Sequence, residues 1–330
     1  MMISMKHPIY LNAMAAIGGK AEKNGPLGAF FDEIDESERF LQKTWEQSES
    51  EMQRRALSAA LKKASLSDTD IGLLFSGDLM NQCTSSSYGL LPFDIPQVGL
   101  YGACSTAAES VALAAMACDH TASRVAAVTS SHFCSAERQF RFPLEYGGQR
   151  TPTAQRTVTG AGAFILGRKR SRVRIKSVMF GKSVDSTISD ICNMGAAMAP
   201  AAVDTLTRFF ELSDSKPSDF SKIVTGDLGM EGYQLVKTMM AQKKLPLDEV
   251  YDDCGLMIYH NELQDMHAGG SGCGCSAVVG ATKLFPELAE GKIESLLFIG
   301  TGALMSPTSI QQGLPIAGIA HLVHFVREEM

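Results

Sequence analysis

Two stretches of this chain combine residue types and spacings that could do chemistry. At 102–110, GACSTAAES places Cys104 after a small-residue turn and ahead of a run with no Gly or Pro through Cys118. Its alanines predict a helix, and a helix start gathers unpaired N–H groups at the positive end of the dipole. That field either lowers the thiol pKa toward a nucleophile or attracts the carboxylate of a ligand. A cysteine is otherwise a small core residue, but Cys104 has a turn before it, a helix behind it and a counterpart at Cys275. At 266–277, MHAGGSGCGCSA again opens a helix, with glycines that permit close backbone approach and His267 at its entrance. His267, Cys273 and Cys275 lack the spacing of structural zinc sites, so no metal is expected. Neither GGSGCGC nor TGAGAFILG satisfies the dinucleotide pattern GxGxxG, and FGKS at 180–183 has Lys176 where a phosphate-binding loop needs its first glycine.

Asp78 and Asp227 each follow an apolar run inside the triplet GDL. An aspartate there bonds its own turn or, beside a ligand, accepts hydrogen bonds or binds calcium through hard oxygen donors. Segment 132–156 interleaves Phe133, Phe140, Phe142 and Tyr146 with Arg138, Arg141, Arg150 and Arg156. Like the stretch 229–274, which holds a helical run at 233–242, it is longer than a connection needs; it reads as a subunit-interface loop or as a source of cations.

Positioning these groups takes more than one lobe. The 330 residues, 45% hydrophobic and 20% charged, exceed the usual ~100–200 of one domain and can bury a large core. A net charge of -6 removes the electrostatic footprint of a nucleic-acid binder. Eight cysteines without a CxxC pair fit reduced thiols in a cytoplasmic protein. The apolar run 9–17 carries Asn12 and no signal-peptide pattern, so it reads as a strand. No apolar run reaches the ~18 residues of a membrane span, 194–203 being interrupted by Pro200, so membrane residence would be peripheral.

An internal repeat organises the chain. DTDIGLLFSGDL at 68–79 aligns without gaps with PSDFSKIVTGDL at 217–228, and further on Cys104 and Ser105 align with Cys275 and Ser276, and 125–131 with 296–302. Each half reads strand, helix, strand, Gly-rich turn, helix, strand, long loop, strand, which predicts sheets covered by helices. Met52, Ala56, Ala60 and Ala64 mark a helix ahead of a strand at 73–75, and Val203, Leu206 and Phe210 echo it. A strand at 157–166 precedes the charge run RKRSRVR at 168–174, most simply a solvated connector. The halves are 1–170 and 171–330.

The duplication, the cysteine at an internal helix start and the Gly-rich HxGG segment resemble the thiolase and ketoacyl-synthase superfamily. Within it, SGDLMNQ at 76–82, GACSTAAES, the segment 130–162, DMHAGGSGCGCSA and TGALMSPTSIQQG at 301–313 look like the stage V sporulation protein AD family over essentially the whole chain. The resemblance implies an α/β, five-layered αβαβα thiolase-like fold from two duplicated βαβαβαββ halves. It implies a noncatalytic dipicolinic acid (pyridine-2,6-dicarboxylate) binding protein of the spore uptake and release machinery, needed in sporulation and germination. Cys104 matches the superfamily nucleophile and His267 its histidine, with Ala268 in place of a proline. The base of ketoacyl-synthase III enzymes falls where this chain has Gly226, Asp227 and Leu228. A carboxylate there repels a developing enolate instead of stabilising it.

Burying a dicarboxylate requires cations or N–H donors. The expected pose lays the pyridine ring beside Cys104, one carboxylate toward the helix start and the other toward Arg138, Arg141 or a bound calcium. Asp78, Asp227 and His267 complete the expected ligand set. No cofactor is expected, calcium entering only as the dipicolinate chelate. The implied partners are dipicolinic acid or that chelate, other subunits of the stage V sporulation A assembly and a second copy in a homodimer, with no nucleic acid and no transmembrane segment. The implied location is cytoplasmic in synthesis and peripheral at the spore inner membrane. Two alternatives stay open: an acyltransferase or condensing enzyme using Cys104 with His267 or His260, and an adaptor with a vestigial pocket.

Overall fold

Val125 and Ala127 point to one side of their strand, Ala126 and Val128 to the other, and all four are buried. Such a strand must be covered on both faces. The computed structural model, which describes residues 1–121, 123–140 and 150–329, shows how.

The strands that build the main sheet are β1 (Met2–Gly18), β2 (Ile71–Gly77), β3 (Gln97–Leu100), β4 (Arg124–Ser131), β5 (Gly160–Gly167), β6 (Val173–Met179), β7 (Lys222–Thr225), β8 (Tyr251–Asp253), β9 (Ser295–Leu304) and β10 (Ala317–Arg327). The helices that matter here are α1 (Trp45–Ala64), α2 (Thr106–Thr121), α3 (Phe133–Phe140), α4 (Met194–Ser213), α5 (Gly229–Gln242) and α6 (Cys273–Val279). Along the sheet the order is β8-β7-β9-β10-β6-β1-β5-β4-β2-β3. From β1 outward, the pairings with β5, β4, β2 and β3 run antiparallel, antiparallel, parallel, parallel. From β6 outward, those with β10, β9, β7 and β8 repeat the same senses. The antiparallel pair β1 and β6 joins the two series.

Three apolar clusters separate the layers. Helix α1, capped by Thr44 Oγ1 accepting from the Gln47 N–H at 3.2 Å, packs Met52, Ala56, Leu57 and Ala60 on Ala126 and Val128 of β4 and Ala163 and Ile165 of β5. On the far side, α4 brings Val203, Leu206 and Phe210 against Leu297 and Ile299 of β9. Between them, Ala107, Ala108, Val111 and Ala112 of α2 and Ala277 and Val278 of α6 meet Val125 and Ala127 of one half and Leu296 and Phe298 of the other. Alternate residues of β4 and β9 thus serve different layers, giving five: helix, sheet, helix, sheet, helix.

Several expected elements take other limits. The strand at 157–166 divides, Arg156 and Thr157 pairing with Gly270 and Ser271 while β5 starts at Gly160. The segment 229–274 is largely ordered into α5, β8 and a short helix Cys254–Met257, and α3 occupies part of the other long loop.

The central helices lie unusually close to the strands. A Cβ on Gly162 of β5 would stand 2.7 Å from Ala277 Cβ and 2.9 Å from its carbonyl oxygen, and one on Gly300 of β9 would stand 2.7 Å from the Ser105 carbonyl oxygen. Gly162→Ala is expected to cost about 1–3 kcal/mol by overpacking, read as a lower urea midpoint at constant slope. An unchanged midpoint would show that α6 can retreat freely.

Candidate functional site

Cys104 sits in a short turn before α2, shaped by local bonds. Ser105 Oγ donates to the Gly102 carbonyl at 2.6 Å, Thr106 Oγ1 donates to the Ala103 carbonyl at 2.7 Å, and Ala103 takes a left-handed φ of 50°. The thiol is buried, and the charge of Asp227 acts on it. Asp227 follows β7 and is itself buried. Its Oδ2 accepts from the Gly272 N–H at 2.8 Å and from Ser271 Oγ at 3.3 Å, and its Oδ1 from Thr301 Oγ1 at 2.9 Å. One side chain thus ties together the turn after β7, the Gly-rich segment before α6 and strand β9.

The electrostatics run against a nucleophile. Burial, then the Asp227 charge, push the Cys104 thiol well above its ordinary value. Burial lifts the Asp227 carboxyl to about 6, its donors holding it from going higher. The helix-start field expected to lower the thiol pKa is outweighed by desolvation and the charge of Asp227.

Asp78 follows β2 as Asp227 follows β7, but has different company. Its Oδ2 accepts from the Ser86 N–H at 2.7 Å and Ser86 Oγ at 2.6 Å, its Oδ1 from the Met80 N–H at 2.8 Å. This is the turn chemistry open to it from the sequence. Behind it lies Glu49 of α1, accepting from Ser130 Oγ at 2.8 Å and Ser135 Oγ at 2.6 Å. Burial and then the Asp78 charge push Glu49 up to about 8. Burial raises the Asp78 carboxyl as well, against the pull of its three donors. In the other half Asp253 of β8 accepts from Thr225 Oγ1 at 2.6 Å and the Leu228 and Gly229 N–H groups at 2.9 and 3.0 Å, and burial lifts it to about 7.

A narrow cavity of about 40 Å³ opens over Cys104, room for a few waters. Tyr101, Thr157, Ser271 and Glu137 supply its polar wall, and Leu79, Ile191, Met194 and Met305 much of its apolar one. The structure brings Cys104 and Asp227 together and sets Asp78 behind the wall. His267 is turned away: its Nδ1 pairs with the Thr151 carbonyl at 2.7 Å and its Nε2 with Asp265 at 3.1 Å, from a backbone φ of 51°. His260 is exposed, and Cys275 is buried beneath the Gly-rich segment, near Gly270. Arg141 and the side chain of Arg138 lie outside the described residues. Sequence reasoning missed Ser271, Thr301, Glu49 and Asp253; Ser271 lay inside the Gly-rich motif already singled out, and Asp253 closes the short strand Tyr251–Asp253.

A family model described as Stage V sporulation protein AD (SpoVAD) matches residues 1–326. The chain belongs to this family. Stage V sporulation protein AD of Bacillus subtilis (strain 168) is 44% identical over 323 residues, 98% of this chain and 95% of that protein. In architecture the chain is similar to a variant of OleA from Xanthomonas campestris, with a TM-score of 0.62 at 13% identity over 97% of this chain and 99% of that one. It is also similar to 3-oxoacyl-[acyl-carrier-protein] synthase III from Aquifex aeolicus VF5, with a TM-score of 0.57 at 14% identity over 96% and 99% of the two chains. At such identities the likeness shows the thiolase-like fold alone.

Two outcomes follow from the buried acids of this family member. Asp227→Asn removes the charge that holds the Cys104 proton, so the thiol should be alkylated by iodoacetamide faster than in wild type near pH 8. A rate that is unchanged or slower would mean that Asp227 is not what restrains it. Glu22, Glu49, Asp227 and Asp253 all titrate above the ordinary carboxylate range, so protonation favours the folded chain. That stabilisation is fully present below ~pH 4 and is lost as pH rises through each folded value. Two of these lie at about 7, for Glu22 and Asp253, and one at about 8, for Glu49. Tm should fall between about pH 7.5 and 8.5, where histidines are largely neutral in both states, and Glu49→Gln should flatten the fall. A rising Tm over that interval would refute the assignment.

Proposed function

We propose that the chain acts in sporulation and germination as a noncatalytic binder of dipicolinate, held in the cavity over Cys104. Its family membership supports the sporulation role. The observation that carries the noncatalytic reading is the Cys104–Asp227 pair. Thioester condensation needs a thiolate and a group that accepts developing negative charge. Here the thiol keeps its proton and a carboxylate stands where that charge would grow. No histidine lines the cavity among the described residues.

The wall suits a flat aromatic acid. Met194 and Met305 offer adaptable sulfur faces for a ring, and their rotamers must open to admit it. Thr157 and Tyr101 offer hydroxyl donors to one carboxylate, joined by Ser271 once its hydroxyl turns from its long 3.3 Å bond to Asp227, and the start of α2 offers backbone N–H groups. Arg138 and Arg141 are the proposed cationic partners of the other. Glu137 adds a carboxylate to the wall, which suits the calcium chelate, since that ligand brings its own cation and hard oxygens favour it. Other stage V sporulation A subunits are the proposed membrane anchors at the spore inner membrane. The unpaired outer edge of β3 is the proposed seam of a homodimer.

Calorimetric titration with dipicolinate, with and without calcium, is expected to show saturable binding. Ser271→Ala should weaken it about tenfold, the worth of one hydrogen bond to a charged group, and incubation with acetyl- or malonyl-CoA should leave the mass of Cys104 unchanged. Repeated turnover of a thioester would establish the condensing-enzyme reading instead. Unchanged affinity in both Ser271→Ala and Cys104→Leu would move the ligand elsewhere.

A further inference from the structure

At the opposite end of the parallel strands from Cys104 lies a groove of about 370 Å³ that the ligand site does not use. Three separate segments furnish it with positive charge: Lys63 at the end of α1, Arg124 at the first residue of β4, and Lys169, Arg170 and Arg172 of the run joining the two halves. Two of these cations are matched, Lys63 to Asp32 at 2.5 Å and Arg170 to Glu328 at 3.7 Å. Arg124, Lys169 and Arg172 make no ion pair among the described residues. Asp70, the acid acting on Arg124, is committed to the Ser67 N–H and Oγ, each at 2.8 Å. On a chain whose net charge is -6, three unmatched cations around one depression form a local anion site rather than general basicity.

A second feature points to the same ligand. The register between β1 and β5 slips between Leu11 and Ala13, leaving Asn12 unpaired in the ladder. A bulge of this kind re-aims its side chain, and Asn12 lines the groove. Its Nδ2 donates to the Lys169 carbonyl at 2.6 Å, while its Oδ1 is buried with no donor. A ligand that joins an anion to a hydroxyl answers both the spare charge and the spare acceptor.

We propose that this groove docks the chain on an anionic lipid surface by holding the phosphate and hydroxyl of glycerol-phosphate headgroups. The groove is short, which suits a single headgroup rather than an extended chain. Arg124 opens β4 and Ser131, the last residue of that strand, takes a 3.2 Å hydrogen bond from the Gly274 N–H beside the ligand site. Eight residues of strand separate the two ends by about 25 Å, so a docked chain turns the Cys104 cavity away from the lipid.

Flotation with vesicles of phosphatidylglycerol and phosphatidylcholine in equal parts, against phosphatidylcholine alone, tests this. Wild type should float with the anionic vesicles only, and added salt should release it. The combined variant Arg124→Gln, Lys169→Gln, Arg172→Gln should bind about a hundredfold more weakly, taking about fivefold for each cation near a charged surface. Should that variant misfold by circular dichroism, Lys169→Gln with Arg172→Gln carries the same test with a smaller loss. Equal flotation with both vesicles, or no loss in a folded variant, overturns docking. So does thermal stabilisation by inorganic phosphate or polyglutamate without flotation, which would assign the groove to a soluble anion or an acidic protein segment.

Discussion

The site depends on backbone approaching backbone where no side chain intervenes. Gly300 and Gly302 of β9, in the second half, leave room for the turn that carries Cys104 of the first: a Cβ on Gly302 would stand 2.4 Å from the Gly102 carbonyl oxygen. The exchange is mutual. Gly274, where α6 begins in the second half, would put a Cβ 2.4 Å from the Gly160 carbonyl oxygen at the start of β5 in the first. Each half therefore seats the other's helix start on its own strands, and neither helix could be set at this depth with alanine at those positions. Cys104 and Asp227 meet as a consequence of that exchange, not through any element they share.

Equivalent positions in the two halves then diverge through their neighbours. Asp78 and Asp227 occupy the same triplet after the same strand, yet one faces the carboxyl of Glu49 and the other a thiol. Asp78 spends its acceptors on its own turn. Asp227 spends them on segments brought from elsewhere, at Gly272 and Thr301, while Asp253 secures the Asp227 turn from behind. Buried carboxyls at this density are tolerable only with hydrogen-bond donors in reach and a proton retained on some of them. The same condition that stabilises the fold places negative charge beside Cys104 and raises its thiol.

Repetition and periodicity were legible because they are local. The i+4 spacing of Met52, Ala56 and Ala60 predicted α1, and the matched runs at 68–79 and 217–228 predicted strands that occupy equivalent places in the order of the sheet. Glu49 was not legible: its partners Ser130 and Ser135 are remote in sequence, and nothing in a helical charge pattern distinguishes a buried glutamate from a solvated one. His267 stands apart from the cavity for a related reason. Its motif placed it near the cavity, but a left-handed φ at that residue sends the imidazole toward Thr151 and Asp265. The strand expected at 157–166 divides because Arg156 and Val158 bond to the Gly-rich segment before β5 begins, a preference that composition does not reveal.

Parallel strands give the molecule two chemically different ends. Loops that leave the carboxyl ends of β2, β4, β7 and β9 converge on the central layer, the usual place for a ligand in sheets of this construction, and there the donors are hydroxyls and backbone N–H groups around acids. At the amino end of β4 the neighbouring connections are short and carry charge to the surface, as the run 168–174 does between β5 and β6. At the ligand end the acids are buried and need donors close by; at the other, Arg124, Lys169 and Arg172 meet only solvent or a partner. The two ends therefore differ in what balances their charge: hydrogen-bond donors inside the fold at one, whatever binds from outside at the other.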